Sequence, residues 1–134
     1  MPKNQNTIRV DKIFDEVTLD SAGGVASKES IEIDLSNLNL GYHSLAIVVN
    51  IAASNAAARL DVDFWVSPDG VNWLRSTDGY NITTDFHKAA GETDSVNMDI
   101  ITFNPVLTPF IKFKATETDG TGDGITFSAW YIRQ

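Results

Sequence analysis

The sequence has no cysteine, only two histidines and few basic residues, and each shortage excludes a class of chemistry. Without cysteine the chain can form no disulfide, no thiolate metal site and no thiol nucleophile. Ten Lys and Arg residues against eighteen Asp and Glu residues give a net charge of −8, so direct binding to a nucleic acid or an anionic membrane is not expected. No apolar run approaches the ~18–20 residues that a membrane span requires.

The composition that remains describes one folded domain preceded by a basic segment. A chain of 134 residues, 43% of them hydrophobic, is large enough for a single core without a disulfide or a metal. The N-terminal residues lack the apolar stretch of a secretion signal, so none is expected. Lys3, Arg9 and Lys12 against Asp11 give residues 1–12 a net charge of +2, which leaves −10 on residues 13–134. We therefore predict a basic N-terminal arm over 1–12 and a single domain over 13–134, although an ordinary solvated terminus explains the same charges.

Apolar and polar residues alternate with a period of two along much of the chain, which is typical of β-strands with one buried face. Between Leu60 and Val66 the apolar side chains fall on one face, and Asp61 and Asp63 fall on the other. Strands are predicted over residues 13–19, 31–35, 45–51, 60–66, 79–86, 95–101, 111–115 and 125–132. Turn-forming glycine and aspartate residues separate these segments, and no window predicts a helix. The sequence therefore predicts an all-β protein, an antiparallel β-sandwich of about eight strands.

Residues that could support catalysis are few, and no pattern joins them into a site. His43 and His87 are the only histidines, and neither stands near a nucleophile-elbow pattern, so a serine-type triad is not predicted. Asp61 and Asp63 are about 7 Å apart on one strand face, a separation at which two carboxylates can flank a glycosidic bond. The solvated face of an exposed strand explains the same pair without an activity. We predict a protein that is not an enzyme.

The glycine-rich segment 118–124 is the candidate ion site. Asp119 and Asp123, together with backbone carbonyls, are oxygen ligands of the kind that calcium prefers. The segment lacks the spacing and the terminal Glu of an EF-hand, and a hairpin turn between two strands explains its glycines without an ion. No other cofactor is predicted.

The segment 67–73 follows a predicted strand and combines a turn with a tryptophan. Its Asp-Gly pair predicts a chain reversal, after which Trp73 returns to cover the core. Trp65 lies opposite the inward set of its strand and is predicted to face outward. Two interpretations of an outward tryptophan remain open. In the first, Trp65, Trp73 and Trp130 form a platform on which sugar rings stack. In the second, Trp65 contacts a protein partner.

Four consecutive features resemble those of small tailed-phage virion proteins with sandwich or jelly-roll folds. They are, in order, the apolar strand 64–66, the segment Ser67-Pro68-Asp69-Gly70-Val71-Asn72-Trp73, the segment Thr108-Pro109-Phe110-Ile111-Lys112, and the Gly-rich turn 122–124 that leads into the aromatic strand 125–131. The likeness covers residues 12–134. It implies a jelly-roll-like sandwich with a structural role in the virion, most often capsid decoration and less often a place in the tail or connector. The resemblance brings no catalytic residues.

The leading hypothesis is therefore a non-enzymatic capsid decoration protein that binds the outer shell. The resemblance implies that its partners are the major capsid protein or other virion subunits, that it forms a homo-oligomer, and that it joins virions assembled in the host cytoplasm. Lys3, Arg9 and Lys12 are the first candidates for the partner contact, and Trp65 and Trp73 are the second. The alternative is a carbohydrate-binding module for host adsorption, on the tail or on the capsid exterior.

Overall fold

The computed structural model describes residues 8–35, 43–51, 58–75, 81–87, 95–103, 108–118, 120 and 124–133, and these residues form ten β-strands. The strands are β1 (Arg9–Leu19), β2 (Ser27–Glu29), β3 (Ile33–Asp34), β4 (His43–Ile51), β5 (Arg59–Ser67), β6 (Leu74–Arg75), β7 (Asn81–His87), β8 (Ser95–Phe103), β9 (Phe110–Thr118) and β10 (Ile125–Arg133). Each predicted strand overlaps an observed one, and only the short β2 and β6 were not predicted. The described part of the chain holds no helix of the length and apolarity needed to cross a membrane.

The strands pair in a nested order, the first with the last and so on inward. β1 pairs with β10, β2 and β3 pair with β9, β4 pairs with β8, and β5 pairs with β7, all antiparallel. Two further pairings, β10 with β4 and β9 with β5, complete the sheets. This is the order of a long hairpin wrapped into a jelly roll.

The result is a four-stranded sheet with the order β1-β10-β4-β8 and a six-stranded sheet built on the order β2-β9-β5-β6. In the six-stranded sheet, β3 also pairs with β9, and β7 also pairs with β5. The predicted fold class, an all-β antiparallel sandwich, is confirmed.

The core lies between the two sheets and is filled by every second residue of the long strands. β9 alternates strictly between half-buried and buried positions, and so does β10. Phe113 and Tyr131 meet across the sheets with ring centres 5.1 Å apart, and Phe103 packs against both at 6.0 Å. Because each large apolar side chain gains about 1.5–3 kcal/mol on full burial, this layer accounts for most of the favourable packing energy.

Two irregularities bend β1 as it runs along the edge of the four-stranded sheet. Its register with β10 shifts between Lys12 and Phe14 and again between Phe14 and Val17. The first shift lets the consecutive residues Ile13 and Phe14 both point into the core. At the second, Glu16 adopts a φ of 46°, and its backbone N–H donates to the Ser128 hydroxyl at 2.9 Å. Extra residues of this kind increase strand twist, which helps an edge strand wrap around the core.

β1 begins at Arg9, so residues 9–12 of the predicted basic arm belong to the sheet and pair with β10. Residues 1–7, with Lys3, lie outside the described residues. The separation of an arm over 1–12 from a domain over 13–134 therefore stays a prediction. Of the predicted arm, the structure describes residues 9–12 as part of β1.

Candidate partner-binding surfaces

The outer face of the six-stranded sheet carries several of the residues that the sequence singled out. Asp61, Asp63 and Trp65 occupy the outward positions of β5, between buried neighbours. The register places Asp63 opposite Lys114 and Trp65 opposite Lys112. Opposite charges in direct cross-strand pairs stabilise such a face. Asp61 and Asp63 therefore lie on the solvent side of a sheet among cross-strand partners, as the non-catalytic explanation of this pair predicts.

Trp65 and Trp73 are both neighbours of Lys112 on this face. The Lys112 ammonium is 4.6 Å from the centre of the Trp73 ring, and it also forms an ion pair with Glu29 at 3.0 Å. Trp65 is the cross-strand neighbour of Lys112, and its indole Nε1 is buried with no hydrogen-bond partner among the described residues. The three side chains define a surface, here called the tryptophan–lysine cluster, in which a cation is stacked on an aromatic face.

Trp73 does not join the core, which corrects the sequence prediction for this residue. Its side chain is half-buried and contacts Lys112, whose side chain points away from the core. The physical reason lies in the cation. The charged Lys112 head stays on the outer face, where it pairs with Glu29, and the Trp73 ring stacks over it there.

The turn that carries Trp73 is held by one carboxylate. The Oδ1 atom of Asp69 accepts hydrogen bonds from the backbone N–H groups of Asn72 at 2.8 Å and Val71 at 2.9 Å, and its Oδ2 atom accepts one from the Asn72 amide at 2.7 Å. These bonds, chiefly the backbone bond from Asn72, favour the ionised carboxylate and hold the pKa of Asp69 well below its usual range. Gly70 has a φ of 77°, so the predicted reversal occurs at the Asp-Gly pair. The turn presents Trp73 from a defined backbone.

Trp130 lies on the other side of the molecule. It occupies an outward position of β10 in the four-stranded sheet, where its cross-strand neighbours are Lys12 and Ala46. The Lys12 ammonium is 5.3 Å from its ring centre. Because the outer faces of two packed sheets point in opposite directions, Trp130 cannot share a platform with Trp65 and Trp73. The predicted three-tryptophan sugar platform is therefore not formed.

Two of the three predicted basic contact residues lie on the edge strand β1. Arg9 is exposed at the start of the strand, and its register partner is Arg133. Lys12 forms an ion pair with Asp15 at 2.7 Å, and the two side chains are 43% and 71% exposed. An exposed pair of this kind contributes little to stability, so Lys12 can exchange Asp15 for another acidic partner at small cost.

His43 belongs to a buried polar group at the end of β10. Its Nδ1 atom lies 2.6 Å from the Tyr131 hydroxyl. Burial, and secondarily the charge of Arg133, lowers the pKa of His43 below its ordinary value. Arg133 is itself buried and forms an ion pair with Asp11. Burial also raises the pKa of Tyr131 far above its ordinary value. His43 therefore has a packing and hydrogen-bonding role in the described structure. The second histidine, His87, lies in β7 of the other sheet.

Glu117 is a buried carboxylate that the sequence analysis did not identify. It is 1% exposed, at an inward position of β9, and its Oε1 atom accepts hydrogen bonds from the backbone N–H and the hydroxyl of Ser21, both at 2.9 Å. Its Oε2 atom is buried without a partner among the described residues. The sequence signal for this buried carboxylate is the alternating pattern of β9, in which the inward position after Ala115 is occupied by the charged Glu117.

The candidate calcium residues Asp119 and Asp123 lie outside the described residues, so that site stays a prediction. Glu117 is next to the same segment, because Ser21 both donates to Glu117 and accepts a hydrogen bond from the Gly120 N–H at 3.1 Å. Among the described residues, no group of three or more His, Cys, Asp or Glu side chains could hold a metal ion.

No protein-family model and no curated protein sequence matches this chain. Solved structures from infectious bursal disease virus are similar in fold. The crystal structure of the VP2 subviral particle of that virus superposes with a TM-score of 0.53 at 11% identity, over 93% of this chain and 32% of the viral chain. The structure of the Gx strain gives a TM-score of 0.54 at 13% identity, over 93% of this chain and 31% of that chain. The chain thus spans about a third of these viral proteins, and at this identity the likeness shows a shared β-sandwich fold.

Proposed function

We propose that this chain is a non-enzymatic structural protein of a virus particle, and that it decorates the outer shell of a tailed-phage capsid. Two lines support the proposal. The β-sandwich fold is shared with VP2 of infectious bursal disease virus, whose crystal structure is that of a subviral particle. The segments 64–73 and 108–112 resemble small phage virion proteins that bind capsid subunits. The single observation that carries the proposal is the fold match over 93% of the chain.

The tryptophan–lysine cluster is the proposed contact with the major capsid protein or another virion subunit. Tryptophan is enriched among the residues that dominate binding energy at protein interfaces. Asp69 holds the turn that presents Trp73, so this ring loses little conformational freedom when it binds. The basic residues Lys3, Arg9 and Lys12 are proposed to add an electrostatic contact at the edge of the molecule.

Attachment of many copies explains how a small protein stabilises a shell. A contact of several hundred Å² per copy is weak by itself, since stable pairs bury about 1,200–2,000 Å² in total. A copy that bridges two shell subunits gains from the high effective concentration of its second contact. The proposed mechanism is therefore added buried area spread over the shell, with no reactive centre.

Co-sedimentation with purified, undecorated shells tests the proposal. The wild-type chain should pellet with shells at a saturating copy number. Trp73→Ala should weaken binding at least tenfold, while Trp73→Phe, which keeps an aromatic ring over Lys112, should retain most of it. Val25→Ala, a change at another exposed apolar residue, is the control and should bind normally. A wild-type chain that never pellets with shells contradicts the proposal.

Deletion of residues 2–7 isolates the basic arm, because β1 begins only at Arg9 and remains intact. The deletion removes Lys3 and should weaken attachment without changing the fold, as measured by co-sedimentation and circular dichroism. Undiminished binding excludes Lys3 and residues 2–7 from the contact and leaves the tryptophan–lysine cluster, with Arg9 and Lys12 of β1, as the proposed contact.

A carbohydrate-binding module is the second candidate function, and one observation favours it. Trp65 and Trp73 share one outer face, where both are neighbours of Lys112. Aromatic faces next to polar groups suit sugar rings. Titration of tryptophan fluorescence with host polysaccharide distinguishes the candidates. A saturable change that Trp73→Ala abolishes supports glycan binding, and an unchanged spectrum together with shell binding supports decoration.

A further inference from the structure

The outer face of the four-stranded sheet lacks the charges found on the opposite side of the molecule. The outward positions of its two central strands, β4 and β10, are Ser44, Ala46, Val48, Asn50, Thr126, Ser128, Trp130 and Ile132. None of these residues is charged. On the central strands of the other sheet, Asp61, Asp63, Lys112 and Lys114 face outward. We call the outer surface of β1, β10, β4 and β8 the uncharged face, after its two central strands β10 and β4; its edge strand β1 carries Lys12, opposite Trp130.

Apolar side chains form a continuous patch on the uncharged face. The register places Val10 beside Ile132 in one row, and Trp130, Ala46 and Ile100 across three strands in the next row. Val10 is 56% exposed and Ile100 is 64% exposed. An antiparallel sheet that covers a core usually turns polar side chains outward. A contiguous exposed apolar patch instead marks a site of protein contact.

The charge of the protein favours a second copy as the occupant of this patch. Each copy carries a net charge of −8, so two copies repel one another when their charged surfaces meet. The uncharged face avoids this penalty. Lys12 borders the patch, with its ammonium 5.3 Å from the centre of the Trp130 ring, and its charge is balanced by Asp15 of its own chain. A basic partner would gain more from the acidic surfaces elsewhere on the molecule.

The size of the face fits a two-fold pair. Four strands about 4.8 Å apart and nine residues long at about 3.4 Å per residue cover ~580 Å². Two copies packed face to face would therefore bury ~1,200 Å², which lies above the ~1,000 Å² expected of a specific interface. Packed sheets are ordinarily about 10 Å apart, so the half-buried Trp130 and Ile132 side chains can fill the gap.

We propose that two copies of this chain form a symmetric dimer through the uncharged face, with Trp130, Ile132, Val10, Ala46 and Ile100 in the contact. The inference deepens the proposed virion function, since it names the self-contact of the oligomer and leaves the tryptophan–lysine cluster free for the shell. A two-fold axis through the face lets the same patch serve both partners.

Sedimentation velocity over a range of protein concentrations up to ~100 μM tests the dimer. The wild-type chain should show a monomer–dimer equilibrium. Ile100→Glu places a carboxylate in the contact twice per dimer and should weaken association at least tenfold. Val71→Glu is the matched control, because Val71 is 77% exposed in the turn of the opposite sheet, and it should associate like the wild type. Circular dichroism confirms that the variants are folded, and Val10→Glu replaces Ile100→Glu should the latter unfold.

A wild-type chain that stays monomeric, or an Ile100→Glu variant that dimerises as tightly as the wild type, overturns the inference. Shell co-sedimentation of the same samples separates the two proposals. A monomeric protein that still binds shells contradicts only the dimer. A dimeric protein that does not bind shells contradicts only the decoration function.

Discussion

Buried polar side chains lie near both ends of the core of this protein. Glu117 lies in β9 close to the turn that precedes β10, where Ser21 hydrogen-bonds its Oε1 atom. Arg133 ends β10 and pairs with Asp11, while His43 meets the hydroxyl of Tyr131. These contacts join segments that are far apart in the sequence. Ser21, in the turn after β1, contacts β9, while Asp11 of β1 and His43 of β4 contact β10. Such contacts cost stability when one partner is removed, because the other is left buried and unsatisfied.

The histidine of this group predicts a pH dependence of stability. The pKa of His43 is lowered in the folded protein, chiefly by burial and also by Arg133, so the unfolded chain binds a proton more readily. The contribution of His43 to the free energy of unfolding is therefore complete above its ordinary pKa of about 6.5 and declines as the pH falls below that value. Urea denaturation at pH 7 and pH 5 should show a lower midpoint at pH 5.

His43→Gln is the control for this prediction, because glutamine does not titrate. The variant should lose less stability than the wild type between pH 7 and pH 5, although it is less stable at pH 7 since it lacks the ring stacked on Tyr131. An equal loss in both proteins would assign the pH dependence to other groups, such as the surface carboxylates.

Of the secondary-structure elements, β10 depends on a single glycine just before its start, Gly124. Gly124 has a φ of 70°, and a Cβ atom at this position would lie 3.0 Å from the backbone oxygen of Leu19. Both features disfavour any side chain. The strand that follows pairs with both β1 and β4, so a shift at its first residues would be transmitted to the centre of the four-stranded sheet.

Gly124→Ala should lower the free energy of unfolding by about 1–2 kcal/mol, because alanine is strained at positive φ and crowds the Leu19 carbonyl. Thermal or urea denaturation measures the loss. Gly23→Ala is the matched control, since its Cβ would meet only the Asp20 carboxylate at 3.5 Å, an ordinary contact, and it should change stability little. Equal effects of the two substitutions would contradict the assignment of the strain to Gly124.

The whole molecule presents two outer faces of opposite chemistry, and the proposals assign each a different partner. The six-stranded sheet carries aspartates, lysines and two tryptophans, while the four-stranded sheet carries an uncharged, partly apolar surface. Arg9 and Lys12 lie on β1 at the edge of the four-stranded sheet. Their proposed contact with the shell should respond to salt differently from an apolar contact between two uncharged faces, because ions screen charge pairs and leave apolar contacts in place.

Raising the sodium chloride concentration should therefore separate the two contacts. Attachment to shells through Lys3, Arg9 and Lys12 should weaken by about 1 kcal/mol, roughly fivefold, because exposed ion pairs are screened. Dimerisation should stay constant or tighten, since salt also screens the repulsion between two copies of net charge −8. Parallel co-sedimentation and sedimentation velocity measure both. Dimers that dissociate in salt would contradict a contact through the uncharged face.

The local pattern of the chain was sufficient to predict the strands. The period of two shows which side of each segment is buried, and Gly and Asp mark the reversals, so the all-β sandwich and the turn at Asp69 follow from neighbouring residues alone. The strands β2 and β6 escaped prediction because three and two residues are too few to show a period.

Only the tertiary structure decided which strands share a sheet, and with that which side chains share a face. Trp65 and Trp130 both point outward by the same alternation, yet they lie on opposite sides of the molecule because β5 and β10 belong to different sheets. The bond between Glu117 and Ser21 joins residues 96 positions apart. Alternation in one strand reports burial but carries no information about its pairing partner, because pairing depends on the combined burial and hydrogen bonding of distant segments.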